Sequence, residues 1–312
     1  MKFTETGTPR DNYLAEVITM NPREKVHVVL LDHLNYLVGF VAKTKPDTVD
    51  VYANSLTEKY LGLVRIDCWD IPAQEIDDVF AQCENLGQYP NLKRASLNYY
   101  LHLLQVQNRS EWEMAELKIT RRALIEAWVF PSYYFLEALA ETIGRADAVK
   151  LFKQYITQYY IDHPSPNRDQ FVSLEKFVDK RLSGDTKASE WVIVHTLLDE
   201  GKYAFKNKNC PTCVDATMDL PDVEFKYLVS CYGDYEKFRS HYGNHMVLTM
   251  EHTLIEGDAY CSRVIHDTRI DYDLRHPPKE FWDNFEPGRE QEALKYLRRT
   301  TPIAADLAPP SG

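Results

Sequence analysis

The sequence predicts an α+β protein, in which a helical middle region packs on a mainly antiparallel C-terminal sheet and an additional N-terminal region precedes both. Apolar residues recur at helical spacing through residues 112–161. The apolar runs beyond residue 190 are instead short and β-branched or alternating, which is typical of strands. The chain has 312 residues, which is enough for one large core or two modest ones.

Residues 1–110 show no clear period and form an N-terminal region of uncertain fold. Residues 26–31 and 60–66 are predicted as strands from their β-branched content and flanking breakers, although periodicity alone also allows buried helix there. Residues 111–299 form the predicted α+β domain. Residues 300–312 are rich in proline and small residues and are predicted to be a flexible tail.

Two helical patterns follow one another in the middle of the chain. The first covers residues 112–161, with Gly144 and Asp147 where a helix boundary is expected. The second covers residues 171–182 and follows the breaker HPSPN at residues 163–167. We therefore expect two or three packed helices in this region.

The strand signals lie in the C-terminal part of the chain. Residues 191–198 are short and β-branched, and residues 247–254 alternate between the two faces of a strand. A turn signal at residues 256–258 separates the second run from residues 261–267. These two runs are predicted to form an antiparallel hairpin.

Charge and composition exclude several functional classes. The net charge of -11 repels phosphate backbones, so nucleic acid is not expected as a partner. The N-terminal residues MKFTETGTPRDNYLAE lack the apolar stretch of a secretory signal. The most apolar run, residues 26–41, contains His27, Asp32, His33 and Asn35 and is shorter than the roughly 20 residues of a spanning helix. We expect a cytoplasmic protein without a membrane span, and a homo-oligomer is compatible with the sequence.

The six cysteines are too sparse for a disulfide scaffold and are expected to be free thiols in a reducing compartment. Cys210 and Cys213 have CxxC spacing, and His241 and His245 are a candidate second pair for structural zinc. The gap between the pairs, residues 214–240, exceeds the roughly 12 residues of a compact zinc finger. Partly buried, ordinary thiols are the preferred interpretation, and we expect neither a metal nor an organic cofactor.

Two segments, NCPTCVDATMDLPDVEFKYLVSCYGDYEKF and LTMEHTLIEGDAYCSRVI, resemble the signature of the L-2-amino-thiazoline-4-carboxylic acid hydrolase family. The positions that match this signature are Cys210, Cys231, Asp234, Thr253, Gly257, Asp258 and Cys261. The resemblance covers about residues 120–270. The chain departs from the family at Met250 and Glu251, where the family has Arg and Thr. It also departs at residues 262–264, which are Ser-Arg-Val here and Asp-Phe-Arg in the family.

The resemblance implies an enzyme that opens a small heterocyclic or amide-like substrate by hydrolysis. Such a reaction needs a nucleophile, and Cys231 or Cys261 could attack the amidine-like carbon as a thiolate. It also needs a proton donor for the leaving ring atom, and Asp234 or Asp258 could act as the general acid or base.

The same reaction needs groups that hold the substrate. Arg263 offers forked donors for an anionic group, and Cys210 falls within the implied substrate site. Thr253 and His252 are candidate positioning donors, but strand alternation places them on opposite faces, so one of them is expected to line a given pocket.

Three other interpretations remain open on the sequence. The protein could be a natural-product pathway enzyme of secondary metabolism that has lost hydrolysis and promotes a cyclisation, including a pericyclic one, by orienting an apolar substrate. The replacement of polar family positions by Met250 and Val264 favours this alternative. The protein could also be a non-catalytic module that binds a small molecule. Finally, the cysteines could be buried core residues without a chemical role.

Overall fold

The computed structural model of the chain describes residues 1–64, 71–166, 168, 173–183, 190–270 and 273–300. These residues form two compact units, which we name the sheet unit and the helical unit. The sheet unit comprises Met1–Arg10, Pro164–Cys210 and Asp234–Gly312, and the helical unit comprises Asp11–His163 and Pro211–Gly233. Helices and a mainly antiparallel sheet in the C-terminal half confirm the predicted α+β class. The two units do not correspond to the predicted three-part division. Of its tail, residues 300–312, Thr300 is the end of a helix and residues 301–312 lie outside the described residues.

The regular elements are numbered in chain order. The strands are β1 (Thr4–Thr6), β2 (Val17–Met20), β3 (Leu117–Thr120), β4 (Ile193–Asp199), β5 (Lys202–Asn207), β6 (Met246–Met250) and β7 (Cys261–Asp267). The helices are α1 (Pro22–Val26), α2 (Asn35–Thr44), α3 (Val49–Leu63), α4 (Ala73–Val79), α5 (Pro90–Leu103), α6 (Arg109–Trp112), α7 (Arg121–Ile143), α8 (Arg145–Asp162), α9 (Leu174–Ser183), α10 (Val223–Tyr227), α11 (Gly233–Tyr242), α12 (Lys279–Asp283) and α13 (Glu290–Thr300). π-Helical turns cover His27–Leu34, Pro211–Asp215 and Leu228–Tyr232.

The helical unit is built around α7, whose apolar side chains are buried on several sides. The helix begins after Thr120, whose hydroxyl accepts a hydrogen bond from the backbone N–H of Ala123 at 3.2 Å. It packs against α3, α5 and α8. The predicted boundary at Gly144 is confirmed, because this glycine separates α7 from α8. The pattern predicted from residue 112 is interrupted by β3, which pairs with β2 before α7 starts.

Two predicted strands of the N-terminal region are wrong where the structure describes them. Residues 26–31 belong to a continuous helical stretch, and residues 60–63 are the end of α3. A short apolar run is too short to separate a strand from a buried helix by its period. Val29, Leu30 and Leu34 are almost completely buried, whereas His27 and Asp32 are exposed. Residues 65 and 66 lie outside the described residues.

The five-stranded sheet has the order β1-β4-β5-β7-β6, and each neighbouring pair is antiparallel. The predicted hairpin is confirmed as β6 and β7, with Leu248 opposite Ile265 and Met250 opposite Arg263. The strand predicted over residues 247–254 ends earlier, at Met250, because Leu254–Glu256 forms a 3-10 turn. The strand predicted at residues 191–198 is confirmed as β4, whereas β1 and β5 were not predicted.

Both faces of this sheet are covered by helices. One face, which we name the α11 face, carries Phe205 and Ile265 and packs against α9 and α11. The opposite face, named the α12 face, carries Val264 and packs against α12 and α13. Because successive strand residues alternate between faces, Arg263 on β7 lies on the α11 face and its neighbour Ser262 on the α12 face.

One helical stretch, Pro22–Thr44, is long and apolar enough to cross a membrane by length and composition alone. It has 23 residues, and its most apolar window has a mean hydropathy of 1.2 and is 47% buried within the protein. The core helix of a soluble protein and a signal sequence both share these properties. The stretch is therefore weak evidence and does not support a span, while the cytoplasmic location stays a prediction.

Substituting Gly144 tests the junction between α7 and α8. Gly144 adopts φ 85° and ψ 150°, a conformation almost restricted to glycine. We expect Gly144→Ala to lower the free energy of unfolding by about 1–3 kcal/mol, measured by urea denaturation. The matched control is Gly62→Ala in α3, where an added Cβ meets no atom within 4 Å. This control should stabilise by about 0.5–1 kcal/mol, and equal effects at both glycines would contradict the strain at Gly144.

Candidate functional site

A cavity of about 350 Å³ lies between the α11 face of the sheet and α11, and we name it the Arg263 pocket. Its lining combines aromatic rings with charged and amide side chains. The lining residues are Trp191, Ile193, Phe205, Asn207, Asp234, Lys237, Phe238, His241, Tyr242 and Arg263. All of them belong to the sheet unit. Half of the lining residues are aromatic or aliphatic and half are charged or polar, so the pocket can contact both a ring and an ionic group.

Arg263 and Asp234, both predicted from the sequence, are brought into direct contact. Arg263 Nη1 donates to Asp234 Oδ2 at 2.6 Å, and the side chains are only 12% and 25% exposed. Asp234 lies in the first turn of α11, where the helix dipole favours a carboxylate. The guanidinium carbon of Arg263 is 5.9 Å from the ring centroid of Phe205, its neighbour in β5. Arg263 is therefore held on one side by a carboxylate and lies near an aromatic ring.

Lys237 and His241 project into the same pocket from later turns of α11. His241 Nδ1 is 2.9 Å from the backbone oxygen of Lys237. A carbonyl oxygen only accepts hydrogen bonds, so this nitrogen carries the proton. In the neutral imidazole the lone pair is then on Nε2, which is a Brønsted base.

Asn207 supplies the amide of the pocket and comes from the last position of β5, the central strand. It lies between Ile193 of β4 and Cys261 of β7 in the sheet register. Its residue is 8% exposed, and its side-chain oxygen is buried with no hydrogen-bond partner among the described residues. A buried acceptor without a partner is costly in a folded protein, so its position calls for a reason.

Cys261 lies beside the pocket on β7 but does not line it. It is 3% exposed, and its sulfur accepts a hydrogen bond from the backbone N–H of Leu254 at 3.3 Å. Burial raises the pKa of the Cys261 thiol, while Arg263 opposes this shift. Half-buried Cys210 is close enough to contribute to the pKa of Cys261. A buried thiol with a raised pKa is predominantly protonated at neutral pH and is a weak nucleophile.

Thr253 and Asp258 hold the turn between β6 and β7. The backbone N–H of Thr253 donates to Asp258 Oδ2 at 2.8 Å. The Thr253 hydroxyl donates to Glu256 Oε2 at 2.5 Å. Gly257 completes the turn with φ 96°. These contacts give both predicted residues a structural role, and neither lines the Arg263 pocket.

His252 is part of a hydrogen-bonded network that reaches the α12 face. Ser262 Oγ is 3.1 Å from His252 Nδ1 and 2.9 Å from His276 Nε2. Thr249 Oγ1 is 3.0 Å from His276 Nδ1 and 3.0 Å from His266 Nε2. Burial, with smaller effects of His252 and His266, lowers the pKa of His276 to about 3. His252 therefore lies with this network rather than in the Arg263 pocket.

The remaining predicted cysteine, Cys231, belongs to the helical unit. It is 2% exposed and lies in the π-helical turn Leu228–Tyr232. Cys213 is in the same unit, and its sulfur is 3.9 Å from the backbone oxygen of Ser230. Among the residues that the structure describes, no group of three or more His, Cys, Asp and Glu side chains is placed to hold a metal ion.

Sequence reasoning missed Trp191, Asn207 and Lys237 as pocket residues and assigned His241 only to a candidate metal pair. One signal was available, since Lys237 and His241 follow Asp234 at helical spacing and share its face of α11.

No family model matches the chain, and neither a curated protein nor a solved structure is similar to it at a significant level. The resemblance to the aminothiazoline carboxylate hydrolases therefore stays a prediction.

Alkylation of native protein tests whether Cys261 is a reactive thiol. We expect iodoacetamide at pH 7 to modify Cys261 more slowly than Cys210 and Cys213, because Cys261 is buried and its pKa is raised. Peptide mass spectrometry after short exposures gives the order of modification. Unfolded protein is the control, in which the three rates should converge. Fastest labelling of native Cys261 would contradict the buried, protonated thiol.

The network around His276 predicts a dependence of stability on pH. Because the folded protein lowers the pKa of His276 from 6.5 to about 3, folding disfavours its protonation. The contribution of neutral His276 is complete above pH 6.5 and is lost as the pH falls towards 3. Between pH 7.5 and 4.5, we expect the urea midpoint of His276→Gln to decrease less than that of the wild type. His27 is exposed, so His27→Gln is the control. Equal pH dependence of the urea midpoint in both variants would refute the contribution of His276 to the pH dependence of stability.

Proposed function

We propose that the protein is an enzyme that binds a small, flat, anionic substrate in the Arg263 pocket and acts on a heterocyclic or amide-like bond. The observation that carries the proposal is the geometry of Arg263, which is held by Asp234 at 2.6 Å while it lines an aromatic cavity. A guanidinium fixed in this way is preorganised for a carboxylate.

The charges of the lining support an anionic ligand. Arg263 and Lys237 are cationic and Asp234 is anionic, so these three side chains have a net charge of +1 in a protein with a net charge of -11. A locally cationic, partly enclosed site concentrates small anions. A guanidinium is a planar fork of N–H donors, which matches the geometry of a carboxylate.

The walls of the pocket favour a flat, unsaturated ligand. Trp191, Phe205, Phe238 and Tyr242 all contribute to the lining. Aromatic side chains contact a planar ring over a large area and lose little conformational entropy. The cavity volume of about 350 Å³ is at the lower end for ligand sites and suits a small molecule.

A hydrolytic reaction in this pocket would use water as the nucleophile. Because the Cys261 thiol is buried and its pKa is raised, His241 Nε2 is the better candidate to accept a proton from the attacking water. A C–O bond forms at the amidine-like carbon, a ring C–N or C–S bond breaks, and the leaving atom takes the proton that His241 accepted from the water. The reaction is the one that the resemblance to the aminothiazoline carboxylate hydrolases implies. The mechanism differs, because water replaces the cysteine nucleophile and His241 accepts its proton.

A second candidate function is a cyclisation promoted by orienting the substrate. The observation that favours it is that none of the ten lining residues is a cysteine, while four are aromatic. Proximity alone supplies up to about 7–11 kcal/mol of barrier lowering and needs no covalent nucleophile.

The experiment incubates L-2-amino-thiazoline-4-carboxylic acid with the wild type and with Arg263→Leu, and follows the product by mass spectrometry and binding by calorimetry. We expect water addition by the wild type and affinity at least about tenfold lower in Arg263→Leu, because a charged hydrogen bond is lost. Arg239→Leu is the control, since Arg239 is on α11, is 46% exposed and does not line the pocket.

Each outcome decides between the candidates. Turnover that is lost in Arg263→Leu and retained in Arg239→Leu supports the hydrolase. Arg263-dependent binding without turnover rejects hydrolysis of this substrate and favours a cyclase or a binding module. Absence of binding to the wild type, or unchanged affinity in Arg263→Leu, overturns the assignment of the pocket as an anion site.

A further inference from the structure

We infer that the helical unit holds a second binding site, which takes a small zwitterion such as an α-amino acid. The site is a cavity of about 510 Å³ that is lined mainly from α1, α4 and α6, and we name it the Arg23 pocket. All of its lining residues belong to the helical unit. They are Arg23, Val26, His27, Pro72, Gln74, Glu75, Asp78, Val79, Arg109 and Trp112. This inference does not rest on the function proposed for the Arg263 pocket.

Arg23 is the group that would hold the carboxylate of the ligand. Its guanidinium carbon is 5.3 Å from the ring centroid of Trp112, which is 2% exposed. Its Nη2 atom is 3.6 Å from Glu75 Oε1, which is within the range of an ion pair but beyond a hydrogen bond. Among the described residues, no atom accepts a hydrogen bond from this guanidinium, and the side chain is 53% exposed. The ring and the carboxylate therefore restrict the guanidinium while its N–H donors stay available to a ligand.

Glu75 places a second guanidinium at the same end of the pocket. Its Oε1 atom accepts a hydrogen bond from Trp112 Nε1 at 2.9 Å, and its Oε2 atom is 3.5 Å from Arg109 Nη2. The Glu75 side chain is 14% exposed and Oε2 is buried, so its charge acts on the arginines rather than on a ligand. Arg109 also donates from Nε to Glu113 at 2.9 Å, and its side chain is 58% exposed. Two guanidinium groups thus flank one shielded carboxylate and offer forked donors to a second.

Asp78 supplies a negative charge one helical turn after Glu75 on α4. Residues at i and i+3 of a helix have Cβ atoms about 5–6 Å apart, so Asp78 is close to the arginine end of the pocket. Asp78 is exposed, and Gln74 Nε2 donates to its Oδ1 atom at 2.8 Å. Its Oδ2 atom accepts no hydrogen bond from the described part of the chain. This oxygen can accept a hydrogen bond from an ammonium group.

The charges of the lining favour a zwitterion over an ion of either sign. Arg23 and Arg109 contribute +2, while Glu75 and Asp78 contribute -2, so the four charged side chains cancel. A ligand with a single charge is attracted at one end of the pocket and repelled at the other. An α-amino acid carries its carboxylate and its ammonium on one carbon atom. It therefore presents a charge of the right sign to each end at the same time.

Three probes with related carbon skeletons separate the two charges. L-Leucine carries both, 4-methylpentanoate lacks the ammonium, and 3-methylbutylamine lacks the carboxylate. Their isobutyl group suits the apolar part of the lining, which consists of Val26, Pro72 and Val79. The dissociation constants are measured by calorimetry at pH 7 and low salt, because salt weakens exposed ionic contacts. We expect the wild type to bind L-leucine about three- to fivefold more tightly than either analogue.

Two variants should shift the affinities of the probes differently, which a loss of folding would not do. Asp78→Asn should weaken L-leucine about three- to fivefold and leave 4-methylpentanoate equally or more tightly bound, because the repelling charge is gone. Arg23→Gln should weaken L-leucine and 4-methylpentanoate by a similar factor without weakening 3-methylbutylamine. Arg122→Gln is the matched control, because Arg122 is 36% exposed in the same unit and does not line the pocket. Arg263→Leu should also leave L-leucine binding unchanged, since Arg263 belongs to the other pocket.

The outcomes separate this site from the Arg263 pocket. Opposite shifts in Asp78→Asn and Arg23→Gln, with both controls unchanged, support the zwitterion site. Equal binding of the three probes to the wild type overturns the selection, and so does L-leucine affinity that neither variant changes. Binding of no probe to the wild type overturns the site itself. The function proposed for the Arg263 pocket is unaffected by that result, because the two cavities share no lining residue.

Discussion

The ion pair between Arg263 and Asp234 is the contact on which the candidate site depends. It connects β7, in the interior of the sheet, to the first turn of α11. Since both side chains are largely shielded from water, loss of either partner would leave an uncompensated charge. The pair lies on the face of α11 that meets the sheet, together with Lys237 and His241, and the packing of Phe238 and Tyr242 on the sheet holds the same face. The pocket is a consequence of how one strand and one helix are joined.

Local sequence pattern predicted β4, β6 and β7 from β-branched content, alternation and a turn signal. The hairpin of β6 and β7 was foreseen because its turn signal and alternation are local. Strand β5 was missed because its short sequence KYAFKN mixes two lysines and an asparagine with three apolar residues and has neither an apolar side nor a β-branched run. Residues 26–31 were misjudged because a short apolar run is compatible with both a strand and a buried helix, and only the packing of the whole unit decides between them.

The candidate site was predicted in part for the same reason. Asp234 and Arg263 came from a resemblance and from residue chemistry, and the structure brings them together. Thr253, Asp258 and Cys261 were also proposed from the resemblance, which does not distinguish a turn that hydrogen-bonds itself from a reactive group. Asn207 depends on the pairing of β5 with β7, strands about 60 residues apart in the chain. No local pattern contains that pairing, so a sequence reader has no means to place this amide in a pocket.

The position of β1 has a consequence for the synthesis of the protein. This strand pairs with β4, and the backbone oxygen of Lys2 accepts a hydrogen bond from Thr196, 194 residues later in the chain. At roughly 5–20 residues per second, a ribosome needs about 10–40 s to make the intervening chain. During that interval β1 has no β4 to pair with, and Phe3 cannot pack against the aromatic residues of its cluster. The β1–β4 pair can therefore form only after β4 has been made, and the apolar cluster around Phe3 only after α12 has been made.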